Sequence, residues 1–392
     1  MKKILFVTKY IPSPSYGGGL KRCLASIEAL SKKYEIDLIG FWNDTFKDTK
    51  LEELENLNVN IFGYYLNNNI LKSLNCCIKS IIYKTPIVNN RYYNRKIVNK
   101  IKHLVKENNY EFVFFSEIST IQYVKYIENN KYFFDDFNIE YELLERNSKA
   151  SKFPMKNILK RESRLMKKFE LEALNNSYKN FVVSKRDFDM LPRAIRNKTY
   201  ILNNSYSIQP QYSGNLYEKP TICFVGSIGW KPNKEGLLRF IQNVYPKVNA
   251  KIGELEFYII GSNIPKQIKK ICLGTNIKTV ENTIEEDKAD IINKSWIMIA
   301  PIYFGSGTRV KILEYWAHSK VVVTTKIGAE GLEDSEGTII IDDDTKMAEK
   351  IIKLLKDKEK IKYYGNKNHD VFIKYYEKGK IYGNSFYNAI NT

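Results

Sequence analysis

The sequence has few of the residues that build metal centres and disulfide frameworks. Its 392 residues include three histidines and five cysteines. The cysteines are odd in number, scattered and without a C-x-x-C pair, a pattern that fits neither a disulfide scaffold nor a zinc site. We therefore expect reduced thiols and no bound metal.

Long apolar runs are also lacking. The sequence contains no uninterrupted stretch of about 18 apolar residues, the length that a membrane-spanning helix needs. The apolar start Ile4–Val7 gives way to Thr8 and Lys9 too early for the core of a signal peptide. We therefore expect a cytoplasmic protein.

Intrinsic disorder is excluded by composition, since 43% of the residues are hydrophobic and 13% are aromatic. The chain is longer than one hydrophobic core usually supports, so we expect two domains. Lys and Arg number 62 against 44 Asp and Glu, a net charge of +18, and residues 1–200 carry +13 of it. Such a charge admits nucleic acid, an anionic membrane surface or phosphate-bearing substrates as partners.

Short β-rich apolar runs alternate with helical patterns along the whole chain, which is typical of parallel α/β units. The strands predicted in the first half are Ile4–Thr8, Ile36–Phe41, Val59–Tyr64, Phe112–Phe115, Tyr132–Asp135, Phe181–Ser184 and Tyr200–Leu202. Those predicted in the second half are Ile222–Gly226, Leu255–Ile260, Ile277–Val280, Trp296–Ala300, Val321–Thr325 and Ile339–Ile341.

A polar, turn-rich stretch over residues 203–214 separates the two halves and predicts a domain boundary. We expect an N-terminal domain over residues 1–203, a linker over 204–219 and a C-terminal domain over 220–375. A closing helix over 376–392 is expected to pack back on the N-terminal domain, because its Tyr and Phe residues are typical of a packed segment.

The first candidate for chemistry is the loop Pro12–Leu20, between the first strand and a helix predicted to start near Leu20. Gly17, Gly18 and Gly19 would let backbone amides approach an anion or a sugar at the positive end of that helix. A flexible glycine turn is an equally good interpretation. The spacing differs from the G-x-G-x-x-G pattern of dinucleotide binding.

The second candidate, Ala300–Glu314, begins where a predicted strand ends, and ligands of open α/β sheets bind at the carboxyl ends of strands. Gly305 and Gly307 would expose amides at the start of a helix. Arg309 and Lys311 place cations there against the helix dipole, which indicates that an anion lies between them. A solvated basic helix start is the alternative interpretation.

The third candidate, Phe224–Lys234, also follows a strand and precedes a helix. Lys231 and Lys234 would be able to reach a diphosphate from the opposite wall of the same cleft. An ordinary strand-to-helix connection with a Pro-Asn helix start would look the same.

Taken together, these segments resemble the retaining glycosyltransferases of family 4, which have the GT-B fold: two facing Rossmann-like domains, each a mostly parallel sheet flanked by helices. The likeness is carried by the W-x-P-N turn Trp230–Asn233, the G-x-G-T-R-x-K-x-L-E segment Gly305–Glu314 and the G-A-E-G-L turn Gly328–Leu332. Asp135–Glu140 and Asn203–Ser205 match the family more loosely. The resemblance covers nearly the whole chain, although residues 42–110 contribute little.

The resemblance implies roles for individual residues. Arg309 and Lys311 would stabilise the departing diphosphate, and Glu314 would hold the nucleotide ribose. Asn138 and Glu140 would lie on the acceptor side. The remaining residues implied in donor binding are Gly18, Gly19, Gly226, Lys231, Lys234, Thr283, Gly305, Ser306, Gly307, Thr308 and Glu330.

The chain also departs from the family's usual residues. Many members have a glutamate where this chain has Ser306 and an arginine where it has Ser227. A histidine that is frequent in the family's N-terminal domain has no counterpart, because His103, His318 and His369 fall outside the matching motifs. We interpret these three histidines as structural.

The activity implied is transfer of a sugar, with retention, from a nucleotide-sugar to a hydroxyl of a glycan or lipid-linked acceptor, in bacterial surface polysaccharide synthesis. No cofactor is implied, since the nucleotide-sugar is a substrate and the protein's work is mainly electrostatic. A nucleic-acid-binding protein without catalysis and an NAD-linked oxidoreductase are the alternatives. No nucleic-acid partner is expected, because the aromatics are not interleaved with Lys and Arg on a binding motif.

Two acidic clusters invite a metal-binding interpretation. Asp187 and Asp189 fall in a predicted helix, where side chains two positions apart point to different faces. Asp342–Asp344 precede another helix, where acidic side chains suit the helix dipole without any metal.

Residues 149–168 form the most basic segment, with eight Lys or Arg against a single acid, Glu162. Such a helix would dock on anionic lipid beside a lipid-linked acceptor. Alternatively, its apolar stripe would pack on the domain core and its lysines would be merely solvated. The stripe consists of Met155, Ile158, Leu159, Leu165, Met166 and Phe169.

Overall fold

A computed structural model describes residues 1–12, 18–42, 54, 56–66, 69–207, 216–281, 283–305 and 307–391, except for the side chains of 384, 385 and 391. Of the residues singled out above, Gly17, Ser306 and residues 208–215 of the expected linker lie outside this range. The chain forms two compact units. The first unit contains residues 1–204 and 382–392, and the second contains residues 205–381. The return to the first unit therefore starts at Tyr382, six residues after the expected start of the closing helix.

The first unit is built on a seven-stranded, all-parallel sheet in the order β3-β2-β1-β4-β5-β6-β7. Its strands are β1 Lys2–Tyr10, β2 Tyr34–Trp42, β3 Val59–Tyr65, β4 Tyr110–Ser116, β5 Tyr132–Asp136, β6 Lys179–Val182 and β7 Thr199–Ile201. The order reverses between β1 and β4, which makes the carboxyl ends of these two strands the switch point where such sheets bind ligands.

Helices connect these strands, as parallel pairing requires. They are α1 Gly18–Ser31, α2 Ile70–Tyr83, α3 Ile87–Arg91, α4 Arg95–Glu107, a 3₁₀ helix Ile118–Tyr126, α5 Glu140–Ala150, α6 Met155–Asn176, α7 Lys185–Met190 and α8 Arg193–Arg196. The return segment adds a π-helical turn, Ile381–Ser385, and the helix Phe386–Asn391.

Aromatic side chains fill the core of the first unit. Phe112 stacks on Phe133 with ring centroids 4.4 Å apart, and Phe114 stacks on Phe6 at 4.8 Å. Phe386 of the return segment is fully buried and lies 6.2 Å from Phe114. Burial of such large rings is the main source of stabilisation in a core of this kind.

A buried ion pair also ties α1 to the sheet. Arg22 donates to the Asp135 carboxylate through Nε at 2.9 and 3.1 Å and through Nη2 at 2.5 Å. Its Nη1 donates to the Leu202 carbonyl at 2.5 Å. A planar guanidinium suits this double contact, and its hydrogen bonds compensate for removing both charges from water.

The second unit has a six-stranded, all-parallel sheet in the order β10-β9-β8-β11-β12-β13. Its strands are β8 Thr221–Val225, β9 Glu256–Ile260, β10 Ile277–Val280, β11 Ile297–Ala300, β12 Val322–Thr324 and β13 Thr338–Ile340. Here the order reverses between β8 and β11, so the second switch point lies at their carboxyl ends.

Helices flank this sheet as well. They are α9 Lys231–Asn243, α10 Tyr245–Ile252, α11 Lys266–Cys272, α12 Glu285–Lys294, α13 Val310–Ala317, α14 Asp344–Leu355, α15 Lys358–Tyr375 and the short turn Lys378–Lys380. The Asp343 side chain caps α14 by accepting from the Lys346 amide at 2.8 Å. One residue of the acidic run at that helix start therefore acts as a helix cap.

All thirteen predicted strands are present, with differences at their ends. The strand predicted over Phe181–Ser184 ends at Val182. Ser184 instead caps α7, because its hydroxyl accepts from the Asp187 amide at 3.1 Å. Helix α1 begins at Gly18, two residues before the predicted start.

The five cysteines are all free thiols; four are buried and Cys77 is exposed. Among the described residues, no helix combines the length and the apolar character needed to cross a bilayer.

Candidate functional site

Two of the residues predicted to bind a diphosphate, Arg309 and Lys311, lie at the switch point of the second unit. Gly226 directly follows β8, and its amide donates to the Ile260 carbonyl at 2.9 Å. Arg309 and Lys311 follow β11 and stand at the start of α13. Because β8 and β11 are neighbours in the sheet, the two connections meet over the same pair of strand ends.

The ammonium of Lys311 lies between the β8 connection and α9. Its Nζ donates to the Asn233 Oδ1 at 2.7 Å and lies 4.0 Å from the centroid of the Phe224 ring. A Cβ built on Gly226 would be 2.7 Å from Nζ, closer than any real side chain tolerates. A glycine at position 226 therefore makes room for the ammonium.

The surroundings of Lys311 disfavour its positive charge. Burial lowers the pKa of Lys311 well below its usual value, and the nearby Arg309 lowers it further, while Glu314 opposes the shift. A buried cation beside a second cation is what an anionic ligand would stabilise. The arrangement therefore fits the predicted diphosphate position.

Arg309 is buried, with 6% of its surface exposed, and its guanidinium lies 5.3 Å from the centroid of the Trp230 ring. A Cβ on Gly305 would be 3.2 Å from its Nη2. Both Gly305 and Gly307 have positive φ, 107° and 83°, which places the loop in a conformation that favours glycine. The loop backbone thus runs close beside the guanidinium.

Glu314 lies one turn further into α13 and is also buried. Its Oε1 accepts a hydrogen bond from the Tyr206 hydroxyl at 2.9 Å and forms an ion pair with Lys288 Nζ at 2.8 Å. Lys288 also pairs with Glu285 at 2.5 Å. Burial opposes the charge on Lys288, but its two carboxylate partners outweigh that effect and raise its pKa.

Tyr206 and Lys288 were missed by the sequence interpretation. Tyr206 falls in the segment expected to be a linker, and Lys288 lies on α12 in a run of charged residues that is typical of a solvated face. Neither carries a sequence signal for contact with Glu314. Asn233 belongs to the W-x-P-N turn, but its contact with Lys311 was not predicted.

Lys231 and Lys234 start α9. The Lys231 ammonium is exposed, 3.6 Å from Glu235 and 5.9 Å from the centroid of the Phe304 ring. Lys234 is partly buried, and its backbone amide donates to the Trp230 carbonyl at 3.0 Å. Among the described contacts of Lys231, none joins the group of Arg309, Lys311 and Glu314.

The remaining donor-side residues lie around the same edge of the sheet. Thr283 follows the edge strand β10, and its hydroxyl is 3.4 Å from the Ile284 carbonyl. Thr308 has a buried hydroxyl without a hydrogen-bond partner among the described residues. Glu330 is partly buried in the turn after β12.

The turn that carries Glu330 is packed tightly onto the sheet. A Cβ on Gly328 would be 2.1 Å from the Thr324 hydroxyl and 2.9 Å from the Ala300 carbonyl oxygen. Gly331 has a positive φ of 77°. The G-A-E-G-L turn therefore needs its glycines to lie over the ends of β11 and β12.

In the first unit, the switch point carries an ion pair. Lys9 Nζ, near the end of β1, lies 2.9 Å from Glu117 Oε1, directly after β4. Glu117 adopts a φ of 75°, a conformation that non-glycine residues rarely adopt and that is often found at functional sites. Neither residue was predicted as part of a site. Gly18 and Gly19 begin α1, and a Cβ on Gly19 would be 3.2 Å from the Phe137 ring.

The acceptor-side residues Asn138 and Glu140 follow β5. Burial raises the pKa of Glu140 to about 7, and Glu117 raises it further, whereas Lys9 and a hydrogen bond with Asn138 oppose the shift. The amide of Glu140 donates to Glu170 Oε1 at 2.8 Å. Glu140 is thus a carboxyl group that changes charge near neutral pH.

The acidic pair considered for metal binding has other contacts. Asp187 bonds to the Ser184 hydroxyl at 2.7 Å, and Asp189 pairs with Lys185 at 3.1 Å on an exposed turn. His318 contacts Asn293 Oδ1 at 2.8 Å, and burial lowers its pKa to about 4. In the described part of the chain, no group of three or more His, Cys, Asp or Glu side chains is placed to hold a metal ion.

Known proteins resemble this chain in sequence and in structure. Residues 219–357 match the family model described as Glycosyl transferases group 1. The chain is 24% identical, over 401 residues, to an uncharacterized 44.6 kDa protein in the cps region of Klebsiella pneumoniae, covering 98% of this chain and 99% of that protein.

Two solved structures illustrate the structural likeness. TarM of S. aureus superposes with a TM-score of 0.69 at 12% identity, covering 100% of this chain and 99% of TarM. HepE of Anabaena, in complex with UDP and glucose, superposes with a TM-score of 0.67 at 13% identity, covering 100% of both chains. At such identities the likeness shows the fold, which is GT-B. The domain match and this fold together support a glycosyltransferase.

Proposed function

We propose that this chain is a retaining glycosyltransferase of the family 4 type. It moves a sugar from a nucleotide-sugar to a hydroxyl of a glycan or lipid-linked acceptor, acting in the cytoplasm in bacterial surface polysaccharide synthesis. The matched domain at 219–357 supports the transfer, and the relative in a cps region supports the pathway. HepE, whose structure holds UDP and glucose, supports a nucleotide-sugar donor.

The observation that carries the proposal is the grouping of Arg309, Lys311 and Glu314 at the switch point of the second unit. Two cations stand at a helix start in a buried setting, and Lys311 is poorly stabilised without an anion. A diphosphate between them would restore the favourable protonated state of Lys311. Cations that already stand where negative charge develops on the leaving diphosphate lower the barrier to its departure.

Glu314 has the properties of a ribose ligand. Its carboxylate is fixed by Tyr206 and Lys288 through Oε1. A carboxylate has several lone-pair positions, so a carboxylate with these two partners still accepts hydrogen bonds from hydroxyl groups. We propose that the amides of the Gly305–Thr308 loop face the donor sugar and phosphates.

On the acceptor side, we propose that Glu140 and Asn138 bind the hydroxyl that is glycosylated. In this proposal the leaving diphosphate takes up the acceptor proton, so the chain supplies position and electrostatics. No metal or cofactor takes part in the proposed reaction.

A thermal-shift panel with UDP, GDP, ADP, CDP and TDP tests the proposal, because a ligand that binds the native state raises the melting temperature. We expect one base to give the largest shift, and the shift to persist in EDTA. Transfer from the matching nucleotide-sugar, followed by NMR of the product anomer, then tests retention. A panel without any shift, or an inverted product, would overturn the corresponding part of the proposal.

A further inference from the structure

Helix α2 exposes its apolar residues to solvent. Seven of its large hydrophobic side chains are between 55% and 80% exposed: Ile70, Leu71, Leu74, Ile78, Ile81, Ile82 and Tyr83. Several recur three or four positions apart, so they form a continuous stripe along the helix. A surface helix normally turns such a stripe towards the core. We call this stripe the α2 face.

The inner side of α2 is small and polar instead. Its buried residues are Cys76 and Ser80. The Ser80 hydroxyl donates to Glu162 Oε1 at 3.2 Å, and Arg161 Nη2 donates to the Ser80 carbonyl at 2.7 Å. Helix α2 therefore contacts α6 through hydrogen bonds. Its apolar residues, whose burial would stabilise the protein most, point away from the protein.

The sequence around α2 is free of acids. Residues 56–106 contain no Asp or Glu and nine Lys or Arg. Lys79 and Lys84 are exposed on or next to the helix, and Lys72 is partly buried. The apolar stripe thus lies within a strongly positive part of the first unit.

The start of α6, with Phe153 just before it, adds a second group of exposed apolar residues. Phe153, Met155 and Ile158 are exposed by 81%, 51% and 46%. Met166 is buried in the core, and Phe169 packs against it. The apolar stripe of the basic segment is therefore exposed at the start of the helix and packs on the core further along. The exposed cations of this segment include Lys156, Lys160, Arg164 and Lys167.

We propose that the α2 face, together with the exposed start of α6, docks the first unit on an anionic lipid surface. Exposed aliphatic side chains would enter the boundary between headgroups and acyl chains, and the lysines would meet anionic headgroups. This inference stands apart from the proposed glycosyl transfer and does not depend on it.

The positive charge around the α2 face favours a lipid surface over a second copy of the chain as its partner. A two-fold contact through the α2 face would bring Lys72, Lys79 and Lys84 towards the same residues of the other copy, with no acid of residues 56–106 to offset them. Nucleic acid would match the charge but offers no apolar layer for seven exposed hydrophobic side chains. An anionic membrane matches both features.

Co-sedimentation with vesicles tests the proposal. The full chain is mixed with phosphatidylcholine vesicles with or without phosphatidylglycerol, at low and high salt. The test variant carries Leu74→Gln, Ile78→Gln, Ile81→Gln and Ile82→Gln, which keep the net charge and use a good helix former. The matched control, Leu273→Gln with Ile284→Gln, changes exposed apolar residues of the second unit. A third variant reverses charge at Lys156, Lys160, Arg164 and Lys167 to Glu.

We expect the wild type and the matched control to bind anionic vesicles and to bind less at high salt. The glutamine variant should lose about tenfold or more in partitioning, since insertion of apolar side chains drives interfacial binding. Its melting temperature should stay within a few degrees of the wild type, because the changed side chains are exposed. The charge-reversed variant should also bind less.

Three results would overturn the proposal. Equal partitioning of the glutamine variant and the wild type would remove α2 from the contact. Equal binding of the wild type to neutral and anionic vesicles would remove the electrostatic part. A dimer in light scattering that the four substitutions convert to a monomer would assign the α2 face to a second copy.

Discussion

The hydroxyl of Tyr206 donates a 2.9 Å hydrogen bond to the carboxylate of Glu314, 108 positions away in the sequence. Tyr206 is itself held on both sides of its backbone: its amide donates to the Tyr376 carbonyl at 3.1 Å, and the Lys378 amide donates to its carbonyl at 3.0 Å. The carboxylate proposed to bind ribose is therefore oriented by a residue whose backbone is bonded to the last part of the second unit.

Replacing Glu314 tests the ribose contact. Glu314→Gln should weaken binding of the nucleotide-sugar by about 1.5–3 kcal/mol, because charge-assisted hydrogen bonds from ribose hydroxyls are lost. Glu314→Ala should also lower the free energy of unfolding, since it leaves the largely buried Lys288 with Glu285 alone. Titration calorimetry measures donor binding, and urea unfolding measures the free energy of unfolding. Tyr206→Phe removes the hydroxyl that orients the carboxylate but keeps Glu314, so it should weaken donor binding less than Glu314→Gln does. Unchanged donor affinity in Glu314→Gln would contradict the assignment.

Removal of either cation should act mainly on turnover. Arg309→Ala and Lys311→Ala should each lower kcat more than they raise the donor KM, because the diphosphate gains negative charge as it departs. A loss of about a hundredfold to a thousandfold in kcat is the scale known for removing one such electrostatic group. Steady-state kinetics with saturating acceptor measures both constants, and Lys231→Ala, in the exposed first turn of α9, is the comparison. Wild-type kcat in both variants would exclude Arg309 and Lys311 from the reaction.

Adding one methyl group at Gly226 should displace the ammonium group of Lys311. The Cβ of Gly226→Ala would lie 2.7 Å from Lys311 Nζ, so the ammonium must move and donor affinity should fall. Gly253→Ala is a matched control, because Gly253 also has a positive φ, 84°, but no atom within 4 Å of the added Cβ. Both glycines have a positive φ, 153° at Gly226 and 84° at Gly253, so each variant carries some backbone strain, and only Gly226→Ala should weaken donor binding in calorimetry. Equal donor affinities in the two variants would show that the contact with Lys311 is unimportant.

Donor binding should depend on the protonation of Lys311. Because burial and Arg309 lower its pKa, the ammonium loses its proton at a lower pH than an ordinary lysine, and donor affinity should fall as the pH rises through that point. A guanidinium stays charged over the accessible range, so Lys311→Arg should flatten the dependence. Calorimetry in buffers of different ionisation enthalpy should detect proton uptake when the donor binds the wild type. Identical pH profiles for the wild type and Lys311→Arg would refute the link.

Glu140 should make stability fall between slightly acidic and neutral pH. Its pKa is raised from 4.5 in the unfolded chain to about 7 in the folded protein, so the folded state binds more protons in that range. The contribution is present below pH 4.5 and is lost as the pH rises towards 7. The difference in unfolding free energy between the wild type and Glu140→Gln, measured in urea at several pH values, should therefore shift in favour of the variant as the pH rises. A difference independent of pH would contradict the raised pKa.

The sequence predicted the fold well because its signal is local. The buried parallel strands are continuous apolar runs, such as Ile222–Val225 and Ile297–Ala300, and such runs can be recognised without knowledge of their neighbours. Strand ends were less certain, as at Ser184, where capping of the next helix competed with extension of the strand.

The candidate site was predicted only where it is contiguous in sequence. Arg309, Lys311 and Glu314 lie in one segment and were recognised together, whereas Lys288 and Tyr206 reach Glu314 from distant elements that the sequence does not pair. The inverted pattern of α2 escaped notice for a related reason. Its periodicity is that of an ordinary amphipathic helix, and periodicity does not tell which face meets the protein.

The exposed thiol of Cys77 provides a site on α2 for covalent labelling. Cys77 lies three residues after Leu74 and four before Ile81, hence on the same side of the helix. The other four cysteines are buried, so a maleimide dye would react selectively at this position in the unmodified protein. Its emission would report directly whether the surroundings of the helix become less polar. The same accessibility makes intermolecular disulfide formation a hazard in purified samples, which should be kept in reductant.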